Sequence, residues 1–183
     1  MPRKLKFHEQ KLLKKVDFYD WHSQDNPHEA LVMRRYHIQG RDDYAVYSKT
    51  AGQISKLANE LSQLKPDDPF RAKVTVQLLD KLYDHGLITS KSSLSQLQRV
   101  TASSFARRRL PVILVKLKMA PSVSQAAKLI EQGHIRIGPD CITNPQFHVT
   151  RQAEDFITWT EGSKFRAKIA DYRDERDDYD LIQ

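Results

Sequence analysis

The chain has one cysteine, Cys141, among its 183 residues. A single thiol cannot form a disulfide within the chain, so a disulfide-stabilised scaffold is excluded and a reducing compartment is expected. No apolar run approaches the roughly 20 residues that a membrane-spanning helix needs. The first six residues are too polar for a signal peptide. These absences predict a soluble intracellular protein with no membrane partner.

Sequence motifs of nucleotide-dependent and metal-dependent enzymes are also missing. There is no phosphate-binding loop, no Gly-x-Gly-x-x-Gly stretch, and no set of histidines or cysteines at zinc spacing. The acidic pairs at residues 42–43 and 67–68 stand at predicted helix starts, where helix capping explains them. We therefore expect no enzyme activity, no catalytic residue, no metal, no cofactor and no small-molecule substrate.

What the chain does have is an excess of positive charge, with a formal net charge of +7. Residues 107–136 hold seven arginines or lysines against one acid, and residues 1–16 hold six against one. The tail, residues 171–183, holds six acids and two arginines. Separate basic stretches favour polyanionic partners, although an ordinary solvated surface explains any single cluster equally well.

Hydrophobic periodicity predicts a mainly helical first half. We expect a basic helix over residues 7–19 and an irregular stretch, with one helical turn at most, over residues 21–40. Apolar residues at steps of three and four then predict a helix over residues 42–64 with Asp42 as its N-cap. Asp68 followed by Pro69 predicts the start of a second helix, and Gly86 its end. Residues 42–86 therefore form a helical hairpin.

The second half combines helices with a small sheet. Thr101 starts a helix in which Pro111 should cause a bend, or should end one helix and begin another, because proline lacks the N–H for the helical hydrogen bond. Of the two, we expect a single bent helix. Ser122 and Gln125 form a capping-box pattern for a helix over residues 122–132. Alternation at residues 135–137, a turn at residues 138–140 and a strand at residues 155–159 complete the pattern. The fold class is thus α+β, mainly helical.

Four motifs occur in the order of one RNA-binding family: Arg108-Arg109-Leu110, Ala120-Pro121-Ser122, Ala126 to Ile130, and Gly133-His134-Ile135. This arrangement resembles the S-four (S4) RNA-binding domain. The resemblance implies two helices and a small β hairpin, joined to an N-terminal helical region. The hairpin has Ile137-Gly138-Pro139 where the family usually has Val-Asn-Gly. The expected division is a basic extension at 1–40, a helical hairpin region at 41–104, the S4 domain at 105–162, and a charged tail at 163–183.

The N-terminal basic stretch and residues 33–38, Met-Arg-Arg-Tyr-His-Ile, are similar to a family of U-three (U3) small nucleolar ribonucleoprotein proteins related to the ribosomal S4 protein. This likeness implies an RNA-binding component of the small-subunit processome, located in the nucleolus of the nucleus. Such a protein promotes pairing of the small nucleolar RNA with pre-rRNA, for early 18S rRNA processing and 40S biogenesis. The implied partners are U3 small nucleolar RNA, pre-18S ribosomal RNA, the scaffold protein Mpp-ten and other processome proteins.

The candidate RNA contacts are basic or hydroxyl side chains, since a guanidinium can hold two phosphate oxygens and a helix N-terminus favours an anion. On a continuous helix the three adjacent arginines would fan out by ~100° each, so all three could not reach one phosphate. The predicted contacts are Arg107, Arg108, Arg109, Lys116, Lys118, Ser122, Ser124, Lys128, His134 and Arg136. A second set lies in the N-terminal extension: Arg3, Lys4, Lys6, Lys11, Lys14 and Lys15.

Two other functions fit parts of the sequence. The chain could be a structural small-subunit ribosomal protein of the S4 family, although its N-terminal stretch is less like that protein. It could instead bind a partner helix through the apolar face at residues 44–64, a face that would otherwise build the protein's own core.

Overall fold

The computed structural model describes residues 3–13 and 27–173. Over these residues the protein is mainly helical with one three-stranded antiparallel sheet, which confirms the α+β class. The longer helices are α1 (Phe7–Leu13), α2 (Pro27–Tyr36), α3 (Arg41–Gln63), α4 (Pro69–Asp84), α6 (Leu110–Lys116), α7 (Val123–Glu131) and α9 (Lys164–Arg173). The short elements are a 3₁₀ helix (Leu94–Arg99), α5 (Ala102–Ala106), α8 (Arg151–Glu154), β1 (Ile135–Ile137), β2 (Asp140–Cys141) and β3 (Ile157–Trp159).

The ends of α3 and α4 follow local rules with one exception. Asp68 caps α4 as predicted, since its side chain accepts a hydrogen bond from the Phe70 amide at 2.9 Å. Gly86 follows the end of α4 with φ of 72°, the left-handed backbone that glycine adopts without strain. The prediction for α3 was wrong, because Gly40 and not Asp42 stands at its N-cap. Asp42 lies in the first turn, where its charge favours the helix dipole.

Three hydrophobic clusters hold the fold together. Two of the clusters lie among the helices α2 to α5, and both include residues of α3. On the inner face of α3, Ala51, Ala58 and Leu61 are buried. The apolar face at residues 44–64 therefore builds much of the core. The third cluster joins α6, α7 and the sheet through fully buried side chains, including Leu110, Leu114, Ala126, Ile130 and Ile135. None of the clusters contains any of the described residues 3–13.

Two helices lie where none was expected. Residues 27–36 form α2, although residues 21–40 were predicted to be irregular, because Val32 and Tyr36 bury one side of the helix against α3 and α5. Residues 164–173 form α9, although the region after residue 162 was predicted only as a charged tail. The predicted N-terminal helix is confirmed as α1 up to Leu13, and its remainder to residue 19 lies outside the described residues.

The sheet has the order β2-β1-β3, with both pairs antiparallel. Ile137 pairs with Asp140, so Gly138 and Pro139 make a two-residue turn and Asp140 belongs to the strand rather than to the turn. Gly138 has φ of 59°, which tight hairpin turns require. The predicted strand at residues 155–159 is confirmed as β3, and it pairs with β1 on the side away from the hairpin.

Polar contacts join α4 and the loop after it, residues 83–88, to residues 148–151, where α8 begins. Arg151 donates from Nε to the carbonyl oxygen of Tyr83 at 2.8 Å and from Nη2 to that of Ile88 at 2.7 Å. Its guanidinium also lies 4.1 Å from the centroid of the Tyr83 ring, within cation–π range. Nearby, Nε2 of His148 lies 3.2 Å from the carbonyl oxygen of His85. These contacts fix the position of the C-terminal cluster relative to the helical hairpin.

Candidate RNA interface

The three adjacent arginines do not lie on a helix. The chain leaves α5 at Ala106 and enters α6 at Leu110, with Arg109 in an extended conformation between them. Here the backbone pairs with a distant segment: the Leu110 amide donates to the Phe147 carbonyl and the Val149 amide donates to the Arg108 carbonyl, both at 2.9 Å. The predicted single bent helix was therefore wrong. Pro111 lies in the first turn of α6, where no helical partner for its N–H is needed.

Each arginine has a different environment. Arg107 is exposed, and its Nε donates to the hydroxyl of Tyr36 at 3.0 Å. Arg108 is only 8% exposed and donates from Nε and Nη2 to the carbonyl oxygen of Val149, at 3.0 and 2.8 Å. Arg109 is 2% exposed, and its Nη1 lies 3.3 Å from a carboxylate oxygen of Asp43. Only Arg107 of the three presents its guanidinium to solvent.

Glu154 lies between two cations of the predicted site. Arg108 Nη1 donates to one of its oxygens at 2.8 Å, and Lys116 Nζ donates to the other at 2.7 Å. Burial raises the pKa of Glu154, but the hydrogen bonds from Lys116 and Arg108 outweigh burial and hold that pKa below its ordinary value. Lys116 is thus engaged with protein, although 65% of its side chain remains exposed.

The low pKa of Glu154 makes the stability of this contact depend on pH. A carboxyl with a lowered folded-state pKa stabilises the protein above its unfolded-state pKa, and loses that contribution as pH falls through the folded value. We expect Glu154→Gln to lower the free energy of unfolding by roughly 2 kcal/mol at neutral pH, the size of a hydrogen bond to a charged group.

Urea denaturation from neutral pH down to below the folded-state pKa of Glu154 would measure this effect. The difference between wild type and Glu154→Gln should shrink as pH falls below the ordinary glutamate range. Asp155→Asn, which changes an exposed neighbouring carboxyl, is the matched control and should show no such trend. A difference for Glu154→Gln that stays constant with pH would contradict the assignment.

The other predicted contacts divide into exposed and engaged groups. Lys118 and Lys128 are exposed and form no ion pair with described residues. Arg136 donates to Glu161 at 2.9 Å and to the Thr158 hydroxyl at 3.1 Å. Of the remaining residues, Ser122 caps α7 by accepting a hydrogen bond from the Gln125 amide, and His134 Nδ1 lies 3.1 Å from the Ser163 hydroxyl. Ser124 is half-buried.

In the N-terminal set, Arg3 pairs with Glu9 at 2.6 Å, next to α1. Lys4, Lys6 and Lys11 are exposed. Lys14 and Lys15 lie outside the described residues. The structure thus presents a second basic segment at residues 3–13, apart from the three hydrophobic clusters.

Two arginines that sequence reasoning missed lie beside the predicted ones. Arg35 on α2 and Arg107 line one small cavity of about 220 Å³, together with His28 and Ser103. Arg166 on α9 lines an open cleft of about 650 Å³ with Lys118 and Arg136. The only available signal was their charge, because neither helix was predicted.

Within residues 3–13 and 27–173, no group of three or more His, Cys, Asp or Glu side chains could hold a metal ion. No helix in the same ranges is long and apolar enough to cross a membrane.

Comparison with known proteins places two family models along the chain. The model described as "Ribosomal protein S4/S9 N-terminal domain" matches residues 4–106, and the S4 domain model matches residues 108–157. Among curated proteins, U3 small nucleolar ribonucleoprotein protein IMP3 of Saccharomyces cerevisiae is 52% identical over 99% of this chain and 100% of its own length. The human protein of that name is 50% identical over 99% of both chains. Small ribosomal subunit protein uS4 of Metallosphaera sedula is 31% identical over 80% of this chain and 81% of its own.

Proposed function

Because the chain belongs to the family of the U3 small nucleolar ribonucleoprotein protein IMP3, we propose that it is an RNA-binding component of the U3 small nucleolar ribonucleoprotein and of the small-subunit processome. Similarity over almost the whole chain favours this role over that of a structural ribosomal protein, since the uS4 relative is less similar and covers less of the chain. The proposed location is the nucleolus, and the proposed protein partners are the scaffold protein Mpp-ten and other processome proteins.

The proposal is supported above all by exposed cations in and next to residues 108–157, the range that the S4 domain model matches. Arg107, Lys118 and Lys128 project from the connection before α6, from the end of α6 and from α7, and none forms an ion pair with described residues. Charges without acidic partners at a surface attract a polyanion and release its counterions on binding. Arg108 and Arg109, by contrast, are buried and hold the surface in place.

We further propose that the protein promotes pairing of the U3 small nucleolar RNA with pre-18S ribosomal RNA, for early 18S rRNA processing and 40S biogenesis. Two RNA strands repel each other, and cations that contact both backbones lower that repulsion. Recognition of the paired RNA would rest on phosphates and helix shape, because the A-form major groove is too narrow for side chains to read. Residues 3–13 offer a second basic segment for the second strand.

Binding to an RNA formed from these two strands should depend steeply on salt. With about five phosphates contacted, the log–log slope is roughly −4.5, so affinity should fall several-hundred-fold between about 50 and 200 mM salt. A triple variant should bind more weakly: Arg107, Lys118 and Lys128 all changed to glutamine. The magnitude of its log–log salt slope should be smaller by up to about 2.7, which is about 0.9 for each lost phosphate contact. Filter binding at several salt concentrations would measure both quantities.

The matched control changes three exposed lysines on α3 and α4, Lys49, Lys56 and Lys73, to glutamine. It removes the same charge from another surface and should keep most of the slope. The annealing rate of fluorescently labelled U3 and pre-18S RNA segments should rise with wild-type protein and rise much less with the first variant. Affinity that does not change with salt, or equal losses in both variants, would rule out the proposed surface.

A further inference from the structure

An open cleft lies between α9 and the sheet. It has a volume of about 650 Å³, within the range of sites that bind a small ligand. Its walls come from the end of α6, from β1 and β3, and from α9. Lys118, Arg136, Arg166 and Arg173 contribute positive charge, and Ile157, Trp159 and Ile169 contribute apolar surface.

Three of the cleft's cations, Lys118, Arg136 and Arg166, are accessible to an anionic ligand. Lys118 and Arg166 are exposed and form no ion pair with the residues that the structure describes. Arg136 pairs with Glu161, but 74% of the Glu161 side chain is exposed, and exposed ion pairs contribute only about 0–1 kcal/mol. A phosphate could therefore replace this partner at small cost. Glu161 is the carboxylate that a phosphate on Arg136 would displace.

Trp159 is the aromatic residue of the cleft, and it is held in place. Its ring stacks on Phe165 with centroids 6.0 Å apart and planes 21° from parallel. The rings of Phe165 and His134 are nearly perpendicular with centroids 5.0 Å apart, and His134 contacts the Ser163 hydroxyl. Because this chain of contacts orders Trp159 before any ligand arrives, little further ordering is needed when a flat group packs against it.

We propose that the cleft binds single-stranded RNA, with one base against Trp159 and the flanking phosphates on Lys118, Arg136 and Arg166. The inference rests on the proposed RNA-binding function and adds to it the kind of strand bound. Bases in a duplex stack on one another and hide their faces, whereas an unpaired base can stack on an aromatic side chain. The cleft holds both an ordered indole and several cations. A single strand of RNA can use both, through its bases and its phosphates, whereas an acidic peptide has no bases to stack on the indole.

Tryptophan fluorescence gives a direct test, since the chain has two tryptophans, Trp21 and Trp159. In the full-length Trp21→Phe variant, Trp159 is the sole tryptophan. Titration with an oligoadenylate of about 12 nucleotides should quench its emission as the strand binds, because a base stacks on the indole. An RNA duplex of about 16 base pairs, the length that known double-stranded RNA modules span, should bind without comparable quenching.

Substitutions in the Trp21→Phe background complete the test. Arg166→Gln should weaken single-strand binding and reduce its log–log salt slope by about 0.7, the value for one lost phosphate contact. Lys168→Gln, on the same helix but outside the cleft lining, should change neither quenching nor slope. Trp159→Leu should cost roughly tenfold in single-strand affinity with the slope unchanged, since stacking carries no charge. The Arg166 result stands even if the Trp159 variant folds poorly.

The outcomes separate this inference from the proposed function. If paired U3 and pre-18S RNA binds but oligoadenylate binds without quenching Trp159, the cleft is not a single-strand site and the proposed function survives. Equal quenching by duplex RNA or by polyglutamate would also overturn the inference. If neither RNA binds, both proposals fail.

Discussion

Replacing Arg108 with glutamine should destabilise the protein by roughly 3 kcal/mol, the lower end of the cost of breaking a buried ion pair. The Arg108 guanidinium is almost fully buried and holds the Val149 carbonyl and Glu154 together. Without it, the Val149 carbonyl loses two donors, and Glu154 keeps only Lys116 as a partner. A buried acceptor left without a donor costs about 1–3 kcal/mol by itself.

Arg107→Gln is the matched control for this substitution. It changes the neighbouring residue by the same chemistry at an exposed position, where the loss of the hydrogen bond to the Tyr36 hydroxyl should cost only about 1 kcal/mol. Urea denaturation gives the free energies, and RNA binding measured on the folded fraction gives the affinities. We expect Arg108→Gln to lose stability and Arg107→Gln to lose RNA affinity. Arg108→Gln with wild-type stability and weakened RNA binding would show that its guanidinium faces RNA after all.

This expectation corrects what the sequence suggested. From the sequence, substitution of Arg108, Arg109 and Lys116 would be expected to weaken RNA binding and leave the fold intact. For the two arginines we expect a loss of stability instead, because both are buried and Arg109 pairs with Asp43 of α3. The Nε of Arg109 has no hydrogen-bond partner in the described part of the chain.

Gly86→Ala should also cost roughly 3 kcal/mol, for two separate reasons. At φ of 72° an alanine is strained by about 1–2 kcal/mol. In addition, a Cβ at this position would lie 2.7 Å from Arg108 Nε and 2.9 Å from its Cζ. Those atoms cannot move away cheaply, because the guanidinium is held by Val149 and Glu154.

Gly52→Ala provides the control for Gly86→Ala. Gly52 lies inside α3, and a Cβ there would meet no atom within 4 Å. Alanine should therefore stabilise the protein by about 0.5–1 kcal/mol through its better helix propensity. Thermal and urea denaturation should move in opposite directions for the two variants. A Gly86→Ala protein as stable as wild type would show that Arg108 has an alternative position.

The parts of the fold that depend on neighbouring residues could be predicted from the sequence. Ser122 and Asp68 cap their helices, and Gly86 and Gly133 end theirs with positive φ, because each effect involves residues only a few positions away. The α7 helix and the β1–β2 hairpin follow for the same reason. The start of α3 at Gly40 was missed because an aspartate two residues later offered an equally good local signal.

The candidate site was harder, because charge in a sequence does not say what surrounds it. Arg108 bonds to residues 41 and 46 positions away, and Arg109 to a residue 66 positions away. No local pattern reports such contacts. The exposed cations Lys118 and Lys128 were found from composition alone, while Arg35 and Arg166 were missed because α2 and α9 were not predicted. The RNA role of all these residues stays a prediction.

The junction between α4 and α8 has a consequence for how the protein unfolds. Arg151 donates hydrogen bonds to the carbonyl oxygens of Tyr83 and Ile88, and Arg109 pairs with Asp43, so two cations of the C-terminal half have their partners in the N-terminal half. If either half unfolds, Arg109 and Arg151 lose their contacts with Asp43, Tyr83 and Ile88. These contacts join the segments matched by the two family models, so we expect the two segments to unfold in one cooperative transition.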